Sequence, residues 1–205
     1  MPNSRLSRDG REDARLVREC REGDERAFEA LVLKYQDQVF GVAYRMVSDR
    51  EEAMDIAQET FIKAYQALDS FDAGMPFRAW LLRIGTNSSI DLLRRRNRSR
   101  EVKTDRQYAY GQWMSGPAAG TTAFDPPGPD SDIPENISMS NETAEVVRGA
   151  LERLPGKYKA VMVLHHMEGL SYSEIGKVMG VPRNTAKTWG HRARGLLCEA
   201  LEGVM

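Results

Sequence analysis

Residues 170–194 read LSYSEIGKVMGVPRNTAKTWGHRAR, and they carry the punctuation of two short helices joined by a tight turn. Ser171 stands at a helix N-cap, with Glu174 three residues on to close a capping box. Ile175, Val178 and Met179 give that helix one apolar stripe. Gly180 suits the left-handed exit of a helix, and Pro182 presets the backbone for a new start. The second helix carries Arg183, Lys187, His191, Arg192 and Arg194, with no acidic residue before Glu199. A cationic, polar second helix is the layout of a DNA-reading helix-turn-helix.

The rest of the chain divides by composition. Residues 11–99 have helical periodicity and one proline, Pro76. Residues 100–139 change character: the run GPAAGTTAFDPPGPDSDIPEN at 116–136 is too poor in apolar surface to fold alone and reads as a linker. From residue 140 to the end helical periodicity returns, and no β-alternation is sustained anywhere. The expected fold is all-α, in two small helical domains joined by a flexible Gly/Pro/Asp-rich linker.

In the first domain Asp24 is a candidate N-cap, and Phe28, Leu31, Val32, Tyr35, Val39, Val42 and Met46 follow at helical spacing. A second helix is expected from Arg50 to Leu68, with Ala53, Ile56, Ala57, Thr60, Phe61, Ala64 and Leu68 inward. A third starts near Pro76, with Phe77, Trp80, Leu81 and Ile84 on one face, and runs into the basic segment LLRRRNRSR at 92–100.

Bulk properties exclude several classes. The net charge of −1 rules out a protein that coats nucleic acid by bulk charge, so any DNA contact must be local. Cys20 and Cys198 lie at opposite ends of the chain and make no disulfide framework. The N-terminus lacks the apolar core of a signal peptide, and no apolar run spans a bilayer. A cytoplasmic protein without membrane insertion is expected. There is no phosphate-binding loop, no GxSxG and no HExxH, so no enzyme activity, catalytic residue, metal or cofactor is expected. His165 and His166 have no partners at metal-ligand spacing and read as surface residues.

On the second helix Asp55, Gln58, Glu59, Ile62, Lys63 and Gln66 point away from the apolar stripe. The string that holds them, DIAQETFIKAYQALDSF at 55–71, closely resembles the polymerase-binding helix of bacterial sigma factors. MPFRAWLLRIGTN at 75–87 follows in the family's order, and residues 170–194 resemble its promoter-reading helix-turn-helix. The resemblance covers nearly the whole chain and points to the small extracytoplasmic-function group of the sigma-70 family. It implies region 2 over 11–99, a linker over 100–139 and region 4 over 140–205.

The resemblance also implies roles and partners. Asp55, Gln58, Glu59 and Lys63 match the surface that docks on the clamp helices of the largest subunit of core RNA polymerase. The flap of the second-largest subunit is the expected partner of the C-terminal domain. Ala67, Phe71, Ile84 and Asn87 match the pocket that captures a base flipped from the minus-ten element of promoter DNA. An aromatic and an amide can hold an unstacked base by contact and edge hydrogen bonds. Phe71 and Ile84 equally suit a core role, whereas Asn87 gains nothing from an apolar core. Arg94, Arg95, Arg96, Arg98 and Arg100 exceed what a helix terminus needs, which favours phosphate contact.

Lys187, Thr188, His191 and Arg192 match positions that reach the minus-thirty-five element, with Arg183 and Arg194 as phosphate contacts. Where the family usually has an arginine and an aliphatic residue, this chain has Trp189 and Gly190. The inward stripe Ala186, Gly190, Ala193 and Leu197 is thin, and the Trp189 ring is a candidate to cover the gap. The linker aromatics Tyr108, Tyr110 and Trp113 suit either base stacking or anchoring on protein. An anti-sigma factor is a further possible partner. A helix-turn-helix regulator acting without polymerase fits less well, because it leaves the DIAQETF face unexplained.

Overall fold

The computed structural model describes residues 8–72, 74–103 and 141–202. Most of the sequence-derived linker, with Tyr108, Tyr110 and Trp113, lies outside them. Among the described residues the chain is helical and has no strand. The order is α1 (Arg8–Arg21), α2 (Glu25–Val47), α3 (Arg50–Ala67), α4 (Phe77–Lys103), α5 (Asn141–Glu152), α6 (Gly156–Met162), α7 (Tyr172–Met179) and α8 (Arg183–Glu202). A 3₁₀ turn at Leu68–Ser70 follows α3, and a π turn at Val163–Met167 follows α6.

Local chemistry sets the helix ends. Asp24 caps α2 by accepting from the Arg26 amide at 2.9 Å, and Asp49 caps α3 from the Glu52 amide at 3.0 Å. Helix α3 ends at Ala67, one residue short of the expected limit, and the chain tightens there into the 3₁₀ turn. Helix α4 runs on through Lys103, past the expected linker boundary at residue 99. No glycine or proline interrupts residues 86–103, so nothing stops it sooner. In the C-terminal part the Ser171–Glu174 capping box is complete, and Gly180 exits α7 at φ 66°.

The α2 stripe is buried as its spacing predicts, with Leu31, Tyr35, Val39, Val42 and Met46 inside. Helix α1 was not resolved as a separate element by sequence pattern. It buries Leu16 and Val17 against α2 and is tied there by polar contacts. The Tyr35 hydroxyl donates to the buried Asp13 carboxylate at 2.6 Å, and Lys34 Nζ lies 2.9 Å from its other oxygen. Full burial of an aliphatic side chain is worth about 1.5–3 kcal/mol, so these apolar layers dominate the bundle.

Helix α4 does more than the expected single stripe allows. Phe77 and Leu81 face the core shared with α1, α2 and α3. Ala79, Leu82 and Ile90 face a second cluster, which joins Val42, Met46 and Ile56 to Val161, Leu164, Ile175 and Val178 from the C-terminal helices. The two helical sets therefore share a continuous apolar seam.

The Trp189–Gly190 pair has a geometric explanation. Trp189 turns inward and packs against the seam cluster and against a smaller cluster of Leu154, Tyr158, Met162 and Ala193. Gly190 is buried against Tyr172, and a Cβ there would sit 2.7 Å from the Tyr172 hydroxyl and 2.8 Å from its ring. Tyr172 has little room to retreat, since its ring stacks on His165 at 4.4 Å. At Gly176 a Cβ would meet the Val181 carbonyl oxygen at 2.7 Å, a backbone atom of the turn itself.

These three α7–α8 glycines should therefore respond differently to alanine. At Gly195 nothing lies within 4 Å, so Gly195→Ala should stabilise by up to about 1 kcal/mol from helix propensity. Gly190→Ala should lose about 1 kcal/mol net, because overpacking at about 1–3 kcal/mol exceeds that gain. Gly176→Ala should be the most destabilised. Urea unfolding of the three variants checks the order, and a stable Gly190→Ala chain would contradict the close approach.

Candidate functional site

Three surfaces carry the sequence-derived residues. On α3, Asp55, Gln58, Glu59 and Lys63 are all exposed. Lys63 Nζ pairs with Glu59 at 2.9 Å and donates to the Ser88 hydroxyl at 3.1 Å, which braces the face against α4. The face is not purely polar. Met54, Ile62 and Tyr65 are exposed beside these residues, at 44%, 57% and 52%. Exposed apolar groups clustered on one helix, rimmed by polar ones, mark a surface built for a macromolecular partner. The helical spacing places Ile62 outward, whereas Met54 and Tyr65 are revealed as part of this face only by their exposure.

The second surface lies where α3 turns into α4. Asn87 is exposed on α4, and its side chain forms none of the side-chain hydrogen bonds that brace this junction among the described residues. Ala67 and Ile84 are half-buried. Phe71 is buried, with its ring centroid 4.9 Å from Trp80 and 5.8 Å from Phe77. Of the two roles open to Phe71, the structure shows the core one. The loop that carries it is held from α1: Arg21 donates to the carbonyls of Leu68 at 2.8 Å, Asp69 at 3.3 Å and Phe71 at 2.6 Å. Nothing local in the sequence links Arg21 to residues 47–50 positions away.

Along the basic run, Arg95 and Arg98 are exposed, and Arg94 pairs with Asp91 at 3.3 Å in solvent. Arg96 differs. Its guanidinium is engaged by Glu52 and by the Val47 carbonyl, the latter at 2.9 Å, so it fastens α4 to the α2–α3 corner. The free cationic surface there is therefore smaller than the sequence run suggests. Arg100 lies where side chains are not described.

The third surface is α8. Arg183, Lys187, Thr188, His191, Arg192 and Arg194 are all exposed, while Ala186, Gly190 and Ala193 of the same helix are buried. Thr188 returns its hydroxyl to the Asn184 carbonyl at 2.9 Å, and Arg194 donates to the Tyr172 hydroxyl at 3.1 Å. The ring of Trp189 instead receives Lys157 Nζ at 5.5 Å from its centroid. The capping box fixes the start of α7: Glu174 accepts from the Ser171 amide at 2.9 Å and its hydroxyl at 2.7 Å. The Ser171 hydroxyl, more than any other group, holds the Glu174 carboxyl below its ordinary pKa. His165 donates from Nδ1 to the Leu170 carbonyl at 2.8 Å, a structural contact, while His166 is exposed. No group of three or more potential metal ligands occurs among the described residues. No helix among them is long and apolar enough to cross a membrane.

Comparison with known proteins gives a consistent result. Residues 31–99 match the family described as Sigma-70 region 2, and residues 144–197 match Sigma-70, region 4. The chain is 36% identical over 188 residues to the ECF RNA polymerase sigma factor SigW of Bacillus subtilis, covering 92% of this chain and 96% of that one. It is 35% identical to the RNA polymerase sigma-H factor of Pseudomonas aeruginosa, covering 95% and 96%. Among solved structures, CnrH in complex with the cytosolic domain of CnrY is similar, with TM-score 0.63, 26% identity and coverage of 94% and 98%. The sigma factor RpoE of Bartonella quintana, solved with the anti-sigma factor NepR, shares the fold at TM-score 0.57, 24% identity and coverage of 85% and 96%.

Two measurements test the site geometry. Arg21→Ala should speed hydrogen–deuterium exchange in the 68–76 loop by about tenfold or more, since a bond from a charged donor is worth about 1.5–3 kcal/mol. Unchanged exchange would mean that the loop holds itself. Ser171→Ala should cost about 1 kcal/mol at neutral pH. Because the folded Glu174 pKa is depressed, the capping contribution is full above its unfolded value of 4.5 and fades as pH falls through the folded value. The gap between parent and variant should therefore narrow in acid, and a pH-independent gap would contradict the reciprocal bond.

Proposed function

This chain belongs to the sigma-70 family of RNA polymerase sigma factors, in its extracytoplasmic-function group, and from that premise we propose how its surfaces divide the work of promoter-specific initiation. The α3 face of Asp55, Gln58, Glu59 and Lys63 docks on the clamp helices of the largest polymerase subunit. Its polar groups give charge-assisted bonds, and Met54, Ile62 and Tyr65 supply the apolar contact area. The C-terminal helices meet the flap of the second-largest subunit. The observation that carries this reading is the joint exposure of the α3 face and the α8 cationic face in one chain. A lone DNA-binding regulator would need only the second.

Promoter DNA is read at two points. Lys187, Thr188, His191 and Arg192 reach base edges of the minus-thirty-five element in the major groove, and Arg183 and Arg194 contact phosphates. Asn87 hydrogen-bonds a base flipped from the minus-ten element, with Ala67 and Ile84 lining its apolar side. Phe71 acts from behind, as the buried support of that wall. Arg94, Arg95 and Arg98 neutralise phosphates along α4, and Arg96 holds the helix that presents them. Neither DNA contact has to be tight alone, since attachment to polymerase raises the effective concentration of both. The same exposed faces suit an anti-sigma factor that would mask them. In this role the chain does no chemistry of its own and acts in the cytoplasm.

Run-off transcription with core polymerase over a genomic fragment library tests the role and yields the promoter sequence; no specific transcript would refute it. Asp55→Arg combined with Gln58→Ala should weaken core binding at least tenfold with helicity intact. Asn87→Ala should reduce permanganate reactivity of the minus-ten element more than it reduces polymerase affinity. Reactivity equal to the parent would remove Asn87 from base capture.

A further inference from the structure

Lys159 is a cation placed inside the core. It sits on α6 between Tyr158 and Ala160, and it is only 3% exposed. A lysine ordinarily keeps its ammonium in water, and a buried charge is costly unless a counter-charge meets it. Among the described residues Lys159 joins none of the ion pairs. Burial lowers its pKa from the ordinary lysine value; Glu152 opposes that shift, and Arg96 adds to it. The close approach of α6 to α4 leaves the side chain little choice of place, since a Cβ on Gly156 would already lie 3.5 Å from Leu93.

The side chain lines a cavity of about 1150 Å³. Its walls are the α2–α3 corner, the C-terminal half of α4 and the junction of α5 with α6. Arg95, Arg96 and Arg153 line it too. Arg96 is already engaged by Glu52 and by the Val47 carbonyl. Arg95 and Arg153, like Lys159, join none of the ion pairs among the described residues. The acidic groups of the lining are Asp49, which accepts from the Glu52 amide, and Glu152. Positive charge is therefore in excess. Ser48 adds a hydroxyl to the same wall, at φ 57°, where glycine would sit without strain. Among the described residues it is the one non-glycine with positive φ.

This lining selects a ligand chemistry. Guanidinium and ammonium groups recognise phosphate and carboxylate oxygens. A phosphate ester brings up to about two charges and three acceptor oxygens in one compact group, which answers several cations better than a single carboxylate does. The volume far exceeds an inorganic ion and matches the largest sites for small organic ligands, which run to about 1,000 Å³. Val47, Leu93 and Leu154 give it an apolar wall for a ring or chain. A nucleic-acid backbone suits it less well. Such a backbone meets exposed side chains, and Lys159 is not one, whereas a small phosphate can enter the cavity and reach it.

We propose that this cavity binds a small organic phosphate of nucleotide size, with Lys159, Arg153 and Arg95 on the phosphate oxygens and Ser48 beside them. Apart from Arg95, none of these residues belongs to the proposed polymerase-docking or promoter-reading surfaces. The site therefore stands independently of that reading.

Adenosine triphosphate without magnesium is the probe, titrated calorimetrically into the full chain. The parent should bind one equivalent with a dissociation constant below about 1 mM. Lys159→Met keeps the stem and removes the charge, and it should weaken binding by about tenfold or more. Arg153→Ala should weaken it by about threefold or more. Lys177→Met changes an exposed lysine of α7 outside the cavity and should leave affinity unchanged. Thermal unfolding without ligand separates site from scaffold. Lys159→Met should melt no lower than the parent, because an apolar group in place of a buried charge is neutral or stabilising. If it melts lower, Arg153→Ala decides alone, since Arg153 is exposed and can change without disturbing the core. The proposal is overturned by a parent that shows no saturable binding, by unchanged affinity in Arg153→Ala, or by an equal loss in Lys177→Met, which would reveal bulk charge attraction. A thymidine oligonucleotide that binds with the Lys159 dependence while adenosine triphosphate does not would assign the cavity to a nucleic-acid strand and overturn it as well.

Discussion

Helix α4 has to satisfy two cores at once, and the rest of the structure is arranged around that constraint. Phe77 and Leu81 complete the N-terminal bundle, while Ala79, Leu82 and Ile90 close the seam with the C-terminal helices. A helix buried on two faces has only a narrow strip left for solvent and function. Asn87, Arg94, Arg95 and Arg98 occupy that strip. Gly85 fits the same logic, since a side chain there would crowd the Thr60 hydroxyl at 3.2 Å and force α3 away. The proposed base-reading residues are thus carried on the most constrained helix of the molecule. A rigid element holds a contact residue more accurately than a loop does.

The polar contacts of this protein divide into those that hold elements and those left free. Arg21, Arg96 and Arg78 are spent on carbonyls and carboxylates within the chain. Arg95, Arg98, Arg183 and Arg192 are exposed. In the sequence all seven look alike. The distinction decides function, because a guanidinium already satisfied by protein has less to offer a phosphate. On α8 the small inward residues Ala186, Gly190 and Ala193 leave space that Tyr172 and Trp189 fill, while Arg183, Lys187, His191 and Arg192 stay exposed.

Closure of the two helical sets on each other gives the chain a second level of organisation. The sequence suggests two independent domains on a strap. In the structure they share apolar surface along α4 and one enclosed carboxylate, that of Glu168, so the helix that carries the exposed α3 face and the helix-turn-helix are packed in one body. Both outward faces remain exposed in this arrangement.

Much of this was legible from the sequence. The caps at Asp24 and Ser171, the Gly180 exit, the α2 and α3 stripes and the cationic side of α8 follow from interactions within one or two helical turns, which a local pattern encodes directly. The family was legible for the same reason, since its motifs are short helical surfaces. What the tertiary structure alone decided are the meetings of distant residues: the second buried face of α4, the burial of Phe71 against Trp80, the grip of Arg21 on the 68–71 loop, Tyr172 over Gly190, and the enclosure of Glu168. Helical periodicity states which side of a helix is apolar, but not which neighbour covers it. Nor does a charged residue in sequence state whether its partner is water or an arginine 90 residues away. Those choices belong to packing, where shape and burial over the whole chain select one arrangement.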